Sequence, residues 1–149
     1  MSHFSTGRHI PYGGEPIVDA TDALGVIALA VSPDPGPGET IVIVLDAERC
    51  GHTILVVGGT DHPDALLEVA DMIAATAPTH QHAMSIVIAS VRPGHALEPA
   101  DIDRWLEASD RLARAGAELV EWFVISGTAC VDAMCPRDLL GEPPRWDVR

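Results

Sequence analysis

The chain has 149 residues, the size of one ordinary domain, and its nine basic and 22 acidic residues give a net charge of -13. A field of that sign repels phosphate backbones and anionic membrane surfaces, so we expect neither nucleic acid nor a membrane as a direct partner. With 47% hydrophobic but only 4% aromatic residues, the composition favours a compact α/β domain over a disordered chain.

The first predicted elements are an arm and a helix. Residues 1–18 mix Gly, Pro, Ser and His without periodicity, which predicts a flexible N-terminal arm. Asp19 or Thr21 can cap a helix that continues to about Val31, with apolar residues at helical spacing. The Pro- and Gly-rich stretch 33–38 ends this helix.

A hairpin and a second helix follow. The apolar, β-branched run from Thr40 to Leu45 predicts a strand covered on both faces, and a short polar turn leads into a second strand over residues 52–57. Asp61, followed by His62 and Pro63, predicts the start of a helix that closes before Pro78.

The second half repeats the alternation of strands and helices. We predict a buried strand from Met84 to Val91, a helix from Pro99 to Ala115 and a fourth strand from Leu119 to Ile125. The helix residues predicted to point inward are Ile102, Trp105, Leu106, Leu112 and Ala113. Residues 19–126 therefore form one α/β domain, and residues 127–149 are expected to be an irregular C-terminal tail.

Three cysteines occur without a signal peptide or an apolar stretch long enough to span a bilayer, which predicts a reduced, cytoplasmic protein. Two pairs of residues have a spacing that also occurs in metal sites. Cys130 and Cys135 lack a second pair at matching spacing, so we expect buried thiols there. His80 and His82 precede the third strand, which predicts a solvated turn at the opposite end of the sheet.

The loop after the third strand carries the most informative pattern. It resembles the metal-binding loop of RadC-like JAB (JAMM, MPN-type) domains, which reads His-x-His-Pro-Ser-Gly-x-x-x-Pro-Ser-x-x-Asp. In a gapless register Ser90 and Arg92 take the two histidine positions, and Asp103 takes the position of the metal-binding Asp. The other matched positions are Pro93 and Pro99 at the two prolines, Gly94 and Ala100 at the serines, and His95 at the glycine.

The flanking segments extend this resemblance over residues 19–126. The strand that ends in Leu45-Asp46 is similar to the family's strand ending in Leu-Asp, and residues 116–125 are similar to its Gly-Ile-Glu-Leu-Leu-Asp-His-x-Ile-Ile. Glu39 lies within one residue of the family's catalytic glutamate. The resemblance implies an α/β fold with a JAB/MPN-like (cytidine-deaminase-like) sheet flanked by helices.

The same resemblance implies a degenerate site at Glu39, Ser90, Arg92 and Asp103. In an intact site two imidazoles and a carboxylate hold zinc, whose bound water attacks an amide. Here a hydroxyl and a permanent cation replace the imidazoles, so we expect no zinc and no catalysis. Our hypothesis is that the Arg92 guanidinium fills the vacated cation position and pairs with Asp103, with Glu39 as a further candidate partner. The alternative is an Arg92 side chain in solvent.

Two functions remain from different classes. The first is a non-catalytic, JAB-like protein-binding or scaffold module without a cofactor. Its acidic surface would face an unknown basic protein partner, and an apolar strand edge or helix face could make it a homo-oligomer. The alternative is a divergent metallo-hydrolase, a peptidase or isopeptidase, with a site rebuilt from Glu39, Ser90, His95 and Asp103, in which Asp103 and His95 would hold zinc. A small anion bound at Arg92 is a further hypothesis.

Overall fold

The computed structural model describes residues 15–50, 53–60, 62–76, 84–127 and 130–146. They form a mixed α/β fold in which helices flank an open sheet of four strands. The strands are β1 (Glu39–Leu45), β2 (Thr53–Gly58), β3 (Met84–Val91) and β4 (Ala117–Ile125). The helices are α1 (Ala20–Ala30), α2 (Ala65–Thr76), α3 (Ala100–Arg114) and α4 (Pro136–Leu140), and a short 3-10 turn covers Cys130–Asp132.

The sheet has the order β2-β1-β3-β4. The predicted hairpin is confirmed, because β1 pairs antiparallel with β2, and β1 also pairs antiparallel with β3. Strands β3 and β4 are parallel and are joined through α3, as parallel neighbours require a crossover. Of the two caps predicted for α1, Asp19 is the one observed, since its side chain accepts a hydrogen bond from the backbone N–H of Asp22, and Thr21 lies inside the helix.

The core has two halves, one on each face of the sheet. Successive strand residues point to opposite faces. The face covered by α2 and α3 buries Val42, Ile86, Ile88, Trp105 and Trp122, among others. The face covered by α1 buries Ile41, Ile43, Val87, Ala89 and Phe123, among others. Every residue of the central strand β3 is buried, which explains its unbroken apolar run.

The inward face of α3 differs from the prediction. The buried residues are Asp101, Trp105, Ala108 and Leu112, whereas Leu106 is 45% exposed and Ala113 lies at the surface. Their spacing of four, three and four residues follows one side of a helix. The prediction counted apolar residues and so excluded Asp101, which is completely buried.

The two ends of the described chain are more ordered than predicted. Ile17, in the predicted arm, is buried and its N–H donates to the Arg49 carbonyl at 2.9 Å, while residues 1–14 lie outside the described part. In the predicted irregular tail, Met134 forms a bridge with Val124 and α4 follows directly. No helix within the described ranges has the length and apolar character needed to cross a membrane.

Candidate functional site

A tight turn connects β3 to the segment before α3. The His95 N–H donates to the Arg92 carbonyl at 2.9 Å, and Gly94 has a φ of 79°. Pro followed by a residue with positive φ is the pattern of a type II turn, and glycine adopts that conformation without steric cost. The turn therefore gives a structural reason for glycine at position 94. Two further bonds, from Arg92 N to Ile125 O (2.8 Å) and from Gly94 N to Ser126 O (2.9 Å), tie the turn to the end of β4.

The Arg92 side chain folds back into the protein and is only 7% exposed. Its guanidinium donates to both carboxylate oxygens of Asp101, at 3.1 Å from Nη1 and 2.7 Å from Nη2. It also donates from Nε to the His95 carbonyl and from Nη2 to the Ala96 carbonyl, both at 3.2 Å. Such a bidentate pair fixes both position and orientation, so Arg92 fastens the loop to the first turn of α3.

Asp101 has two more donors. Arg104 Nη1 lies 2.8 Å from Asp101 Oδ1, and the Glu98 N–H donates to Oδ2 at 2.8 Å. Burial alone would raise the pKa of the Asp101 carboxyl, but the bonds from Arg92, Glu98 and Arg104 outweigh it and hold that pKa below its ordinary value. Arg104 in turn pairs with the carboxylates of Glu98 and Asp64. Two guanidinium groups and three carboxylates thus form one network.

The predicted pair between Arg92 and Asp103 is wrong, and so is the alternative of an Arg92 side chain in solvent. Asp103 follows Asp101 by two residues, which turns it about 200° around the helix and onto the outer surface. Its side chain is exposed and forms no ion pair with any described residue. The prediction chose Asp103 because of its position in the motif. The geometry of α3 instead brings the carboxylate of Asp101 to Arg92.

Ser90 and Glu39 are both buried, but each is already engaged elsewhere. The Trp122 indole N–H donates to Ser90 Oγ at 2.9 Å. The carboxylate of Glu39 accepts from the N–H of Ser32 at 2.7 Å and from its hydroxyl at 2.8 Å. Glu39 shares the face of Ile41 on the α1 side, whereas Ser90 shares the face of Ile88 on the α3 side. The sheet therefore separates the two residues.

The donors proposed for zinc do not fit the metal. His95 and Asp103 both lie at the surface. No group of three or more His, Cys, Asp or Glu side chains within the described ranges is placed to hold a metal ion. Zinc in proteins takes three or four such ligands in tetrahedral geometry, which these two exposed side chains cannot complete by themselves. His80 and His82 lie outside the described residues.

A second buried ion pair lies on the α1 side of the sheet. A register shift in β4 places Glu121 opposite Val87 and so on the α1 face, where it accepts from Arg137 Nε of α4 at 3.1 and 3.3 Å. Burial raises the pKa of Glu121, and the nearby Arg137 only partly counteracts it. Burial also raises the pKa of the adjacent Cys135 thiol, with Glu121 adding to the effect. A cavity of about 500 Å³ opens beside this cluster, between the start of α1 and α4.

The sequence carried a signal for both of the missed ion pairs. Asp101 stands four residues before Trp105, seven before Ala108 and eleven before Leu112, which places it on their face of the helix. Glu121 interrupts the apolar run of β4, and a charge inside a buried strand requires a partner. Neither signal identifies the partners, Arg92 and Arg137, because both come from other segments of the chain.

The fold and the site together define an α/β domain with a four-stranded open mixed sheet, whose third strand leads into a loop closed by a buried Arg–Asp pair. Comparison with known proteins adds no relative: no family model, no curated protein and no solved structure is significantly similar to the chain.

Proposed function

We propose that this chain is a non-catalytic relative of the RadC-like JAB domains, with a JAB/MPN-like fold, that acts as a protein-binding or scaffold module. The observation that carries the proposal is the ion pair of Arg92 and Asp101. In the proposed relationship, Arg92 stands at a histidine position of the metal-binding motif, and its fixed positive charge takes the place of the ion. The pair closes the loop without a metal.

The engagement of the remaining groups supports the lack of catalysis. A hydrolase of this class needs a metal-bound water and a carboxylate that removes its proton. The Glu39 carboxylate is held by Ser32, and the Ser90 hydroxyl is held by Trp122 on the other side of the sheet. Because the sheet separates these two groups, they do not act together on one bound substrate. The loop therefore has a structural role and does not support hydrolysis.

The surface charge supports a basic protein segment as the partner. The outer layer of the domain, formed by α2, the turn before it and α3, exposes the side chains of Asp64, Glu68 and Asp71 to 67%, 75% and 62%, and Arg104 and Arg111 neutralise the first and the last of them only in part. Asp103 and Asp110 continue this acidic surface along α3. With a net charge of -13, such a surface attracts a Lys- or Arg-rich segment and repels acidic ones.

The loss of catalysis is tested by metal content and by activity on the same preparation. We expect freshly purified protein to contain far less than one zinc per chain by mass spectrometry, and to leave a Lys-linked isopeptide substrate intact. Variants His95→Ala and Asp103→Ala serve as matched controls. Stoichiometric zinc that is lost in either variant would support the metallo-hydrolase and overturn the proposal.

Binding is tested by calorimetric titration of the full chain with a synthetic Lys-rich peptide at low and high salt. We expect binding that weakens as salt rises, because screening shortens the reach of the acidic surface. The double variant Glu68→Gln/Asp103→Asn should bind more weakly, whereas Glu15→Gln, distant in sequence from α2 and α3, should bind as the parent does. Equal affinity in all three proteins, or no binding even at low salt, would refute the acidic surface as a binding site.

A further inference from the structure

The two edges of the sheet differ in whether other residues bond to their outward backbone groups. On the β4 edge, Val124 exchanges two backbone hydrogen bonds with Met134, at 2.8 and 2.9 Å, and Arg145 donates to the Leu119 carbonyl at 2.9 Å. The β2 edge has no such neighbour among the described residues. Three successive apolar residues of β2, Ile54, Leu55 and Val56, are 39%, 39% and 49% exposed. An open apolar edge without charge or proline is a template for another strand.

The hydrogen bonds show which groups of β2 face outward. The Gly59 N–H donates to the Gly38 carbonyl at 3.1 Å, which extends the register of β1 and β2 by one hydrogen-bonded pair. In an antiparallel ladder bonded and non-bonded pairs alternate, so Ile54, Val56 and Gly58 belong to non-bonded pairs. Their N–H and C=O groups therefore point away from β1, toward the open edge.

This edge is complementary to itself. When two β2 strands meet antiparallel about a twofold axis at Val56, each Ile54 lies opposite Gly58 of the second copy. A Cβ atom placed at Gly58 would meet no atom within 4 Å, so the space beside that glycine is open to receive Ile54. On the other face of the sheet the same register places Leu55 opposite Val57. Every outward backbone group between Ile54 and Gly58 then has a partner.

Helix α1 covers the face of the sheet to which Ile54 and Val56 belong, and it exposes one large apolar residue. Leu24 lines the cavity on the β4 side of α1, and Leu29 lies about 140° around the helix from it. Leu29 is 74% exposed, although it is a large apolar residue. Joining two copies edge to edge would place both α1 helices over the same face of the continued sheet.

The absence of charged side chains on β2 favours a second copy of the chain over a charged partner at this edge. No residue from Thr53 to Thr60 is ionisable, so direct contact places no like charges opposite each other. The net charge of -13 on each chain still causes long-range repulsion, which salt screens over about 10 Å at 0.1 M and about 3 Å at 1 M. Association through β2 should therefore strengthen with salt, the opposite of the behaviour expected for the basic partner of the acidic surface.

We propose that β2 pairs antiparallel with β2 of a second copy, which joins the two four-stranded sheets into one. The proposal rests on the proposed scaffold function in one respect: a dimer would give that scaffold two acidic surfaces. Dimerisation itself is independent of zinc content and of peptide binding, so its failure would leave the non-catalytic module standing.

The test is the molar mass of the full chain in solution, measured by light scattering and by sedimentation over a range of concentrations. We expect about twice the chain mass of 15.8 kDa, with a dissociation constant at least about tenfold lower at 500 mM than at 50 mM NaCl. Variant Val56→Lys places two like charges opposite each other at the twofold axis and should be monomeric. Variant Leu139→Lys makes the same change at an apolar residue that is 53% exposed on α4, and should remain dimeric.

Val56→Pro supplies a second, independent perturbation. It removes the outward N–H of residue 56 without removing a bond to β1, and should also yield monomers with unchanged circular dichroism. The proposal is overturned if the parent chain is monomeric in both salts at about 100 µM, a concentration at which even a weak specific dimer is populated. A dimeric Val56→Lys variant, or an equal loss in Leu139→Lys, would place the contact elsewhere and would also overturn it.

Discussion

Replacing Asp101 with alanine should destabilise the fold strongly, whereas the same change at Asp103 should not. Both residues lie in the first turn of α3, so both variants share the gain in helix propensity and the loss of a charge near the helix N-terminus. They differ in what the carboxylate touches. Asp101 is completely buried and accepts from Arg92, Arg104 and the Glu98 N–H, while Asp103 lies in solvent.

The size of the effect follows from what remains after the change. In Asp101→Ala the guanidinium of Arg92, whose side chain is 7% exposed, keeps only two backbone carbonyls as acceptors, at 3.2 Å each. Removing one member of a buried ion pair typically costs about 3–5 kcal/mol, because the other charge stays buried without compensation. Asp103→Ala should change the free energy of unfolding by at most about 0.5 kcal/mol, as is usual for surface positions.

Urea unfolding at neutral pH, followed by the fluorescence of the buried Trp105 and Trp122, measures this difference. With an m-value of about 1.5 kcal/mol per M, the midpoint for Asp101→Ala should fall by about 2–3 M, and that for Asp103→Ala should barely move. If Asp101→Ala is unfolded without urea, Asp101→Asn, which keeps the shape and one acceptor, should lie between it and the parent. Equal midpoints for the two alanine variants, or a larger loss at Asp103, would refute the reasoning.

Three further outcomes are expected. The stability gap between Asp101→Ala and the parent should narrow as pH falls below about 4. A carboxyl whose pKa is lowered in the folded state stabilises the fold fully above its unfolded pKa, and this stabilisation is lost as pH falls toward the folded pKa; a constant gap in pH-dependent unfolding would contradict this. Ser90→Ala should lower the free energy of unfolding by about 1–3 kcal/mol, because it leaves the Trp122 N–H unpaired. In a Trp122→Phe background the same change should cost clearly less, and a double-mutant cycle measures this difference. Iodoacetamide at pH 8 should alkylate Cys50 before Cys135, because burial raises the pKa of the Cys135 thiol and shields it from the reagent. Peptide mass spectra measure the order of labelling, and early labelling of Cys135 would be inconsistent with its packing.

The two ion pairs give the domain a specific shape more than a large net stability. Buried pairs of this kind often contribute little compared with apolar residues of equal volume, although breaking them is costly. Arg92 holds the loop between β3 and α3, and Arg137 holds α4 against Glu121 of β4. Both ion pairs join a strand of the sheet, or the loop that follows it, to a segment that comes later in the chain. A scaffold whose surfaces must keep fixed relative positions is consistent with this arrangement.

The regular elements could be predicted from the sequence because their signals are local. The unbroken apolar run of β3 gave its bounds without error, and the start of α1 at the Asp19 cap and the hairpin of β1 and β2 were also predicted. Boundaries set by tertiary packing were predicted less well. The short helix α4 was missed, since five residues that begin with a proline carry almost no periodicity of their own and depend on Arg137 being buried.

The sequence by itself determined an acidic α/β domain, the order of its strands and helices along the chain, and the position of Arg92 directly after the third strand. Only the tertiary structure decided which carboxylate meets Arg92, that Glu39 and Ser90 lie on opposite faces of the sheet, and that one sheet edge stays open. The physical reason is that hydrophobic periodicity acts within a segment, whereas the partner of a charge or of a strand edge comes from residues distant in sequence.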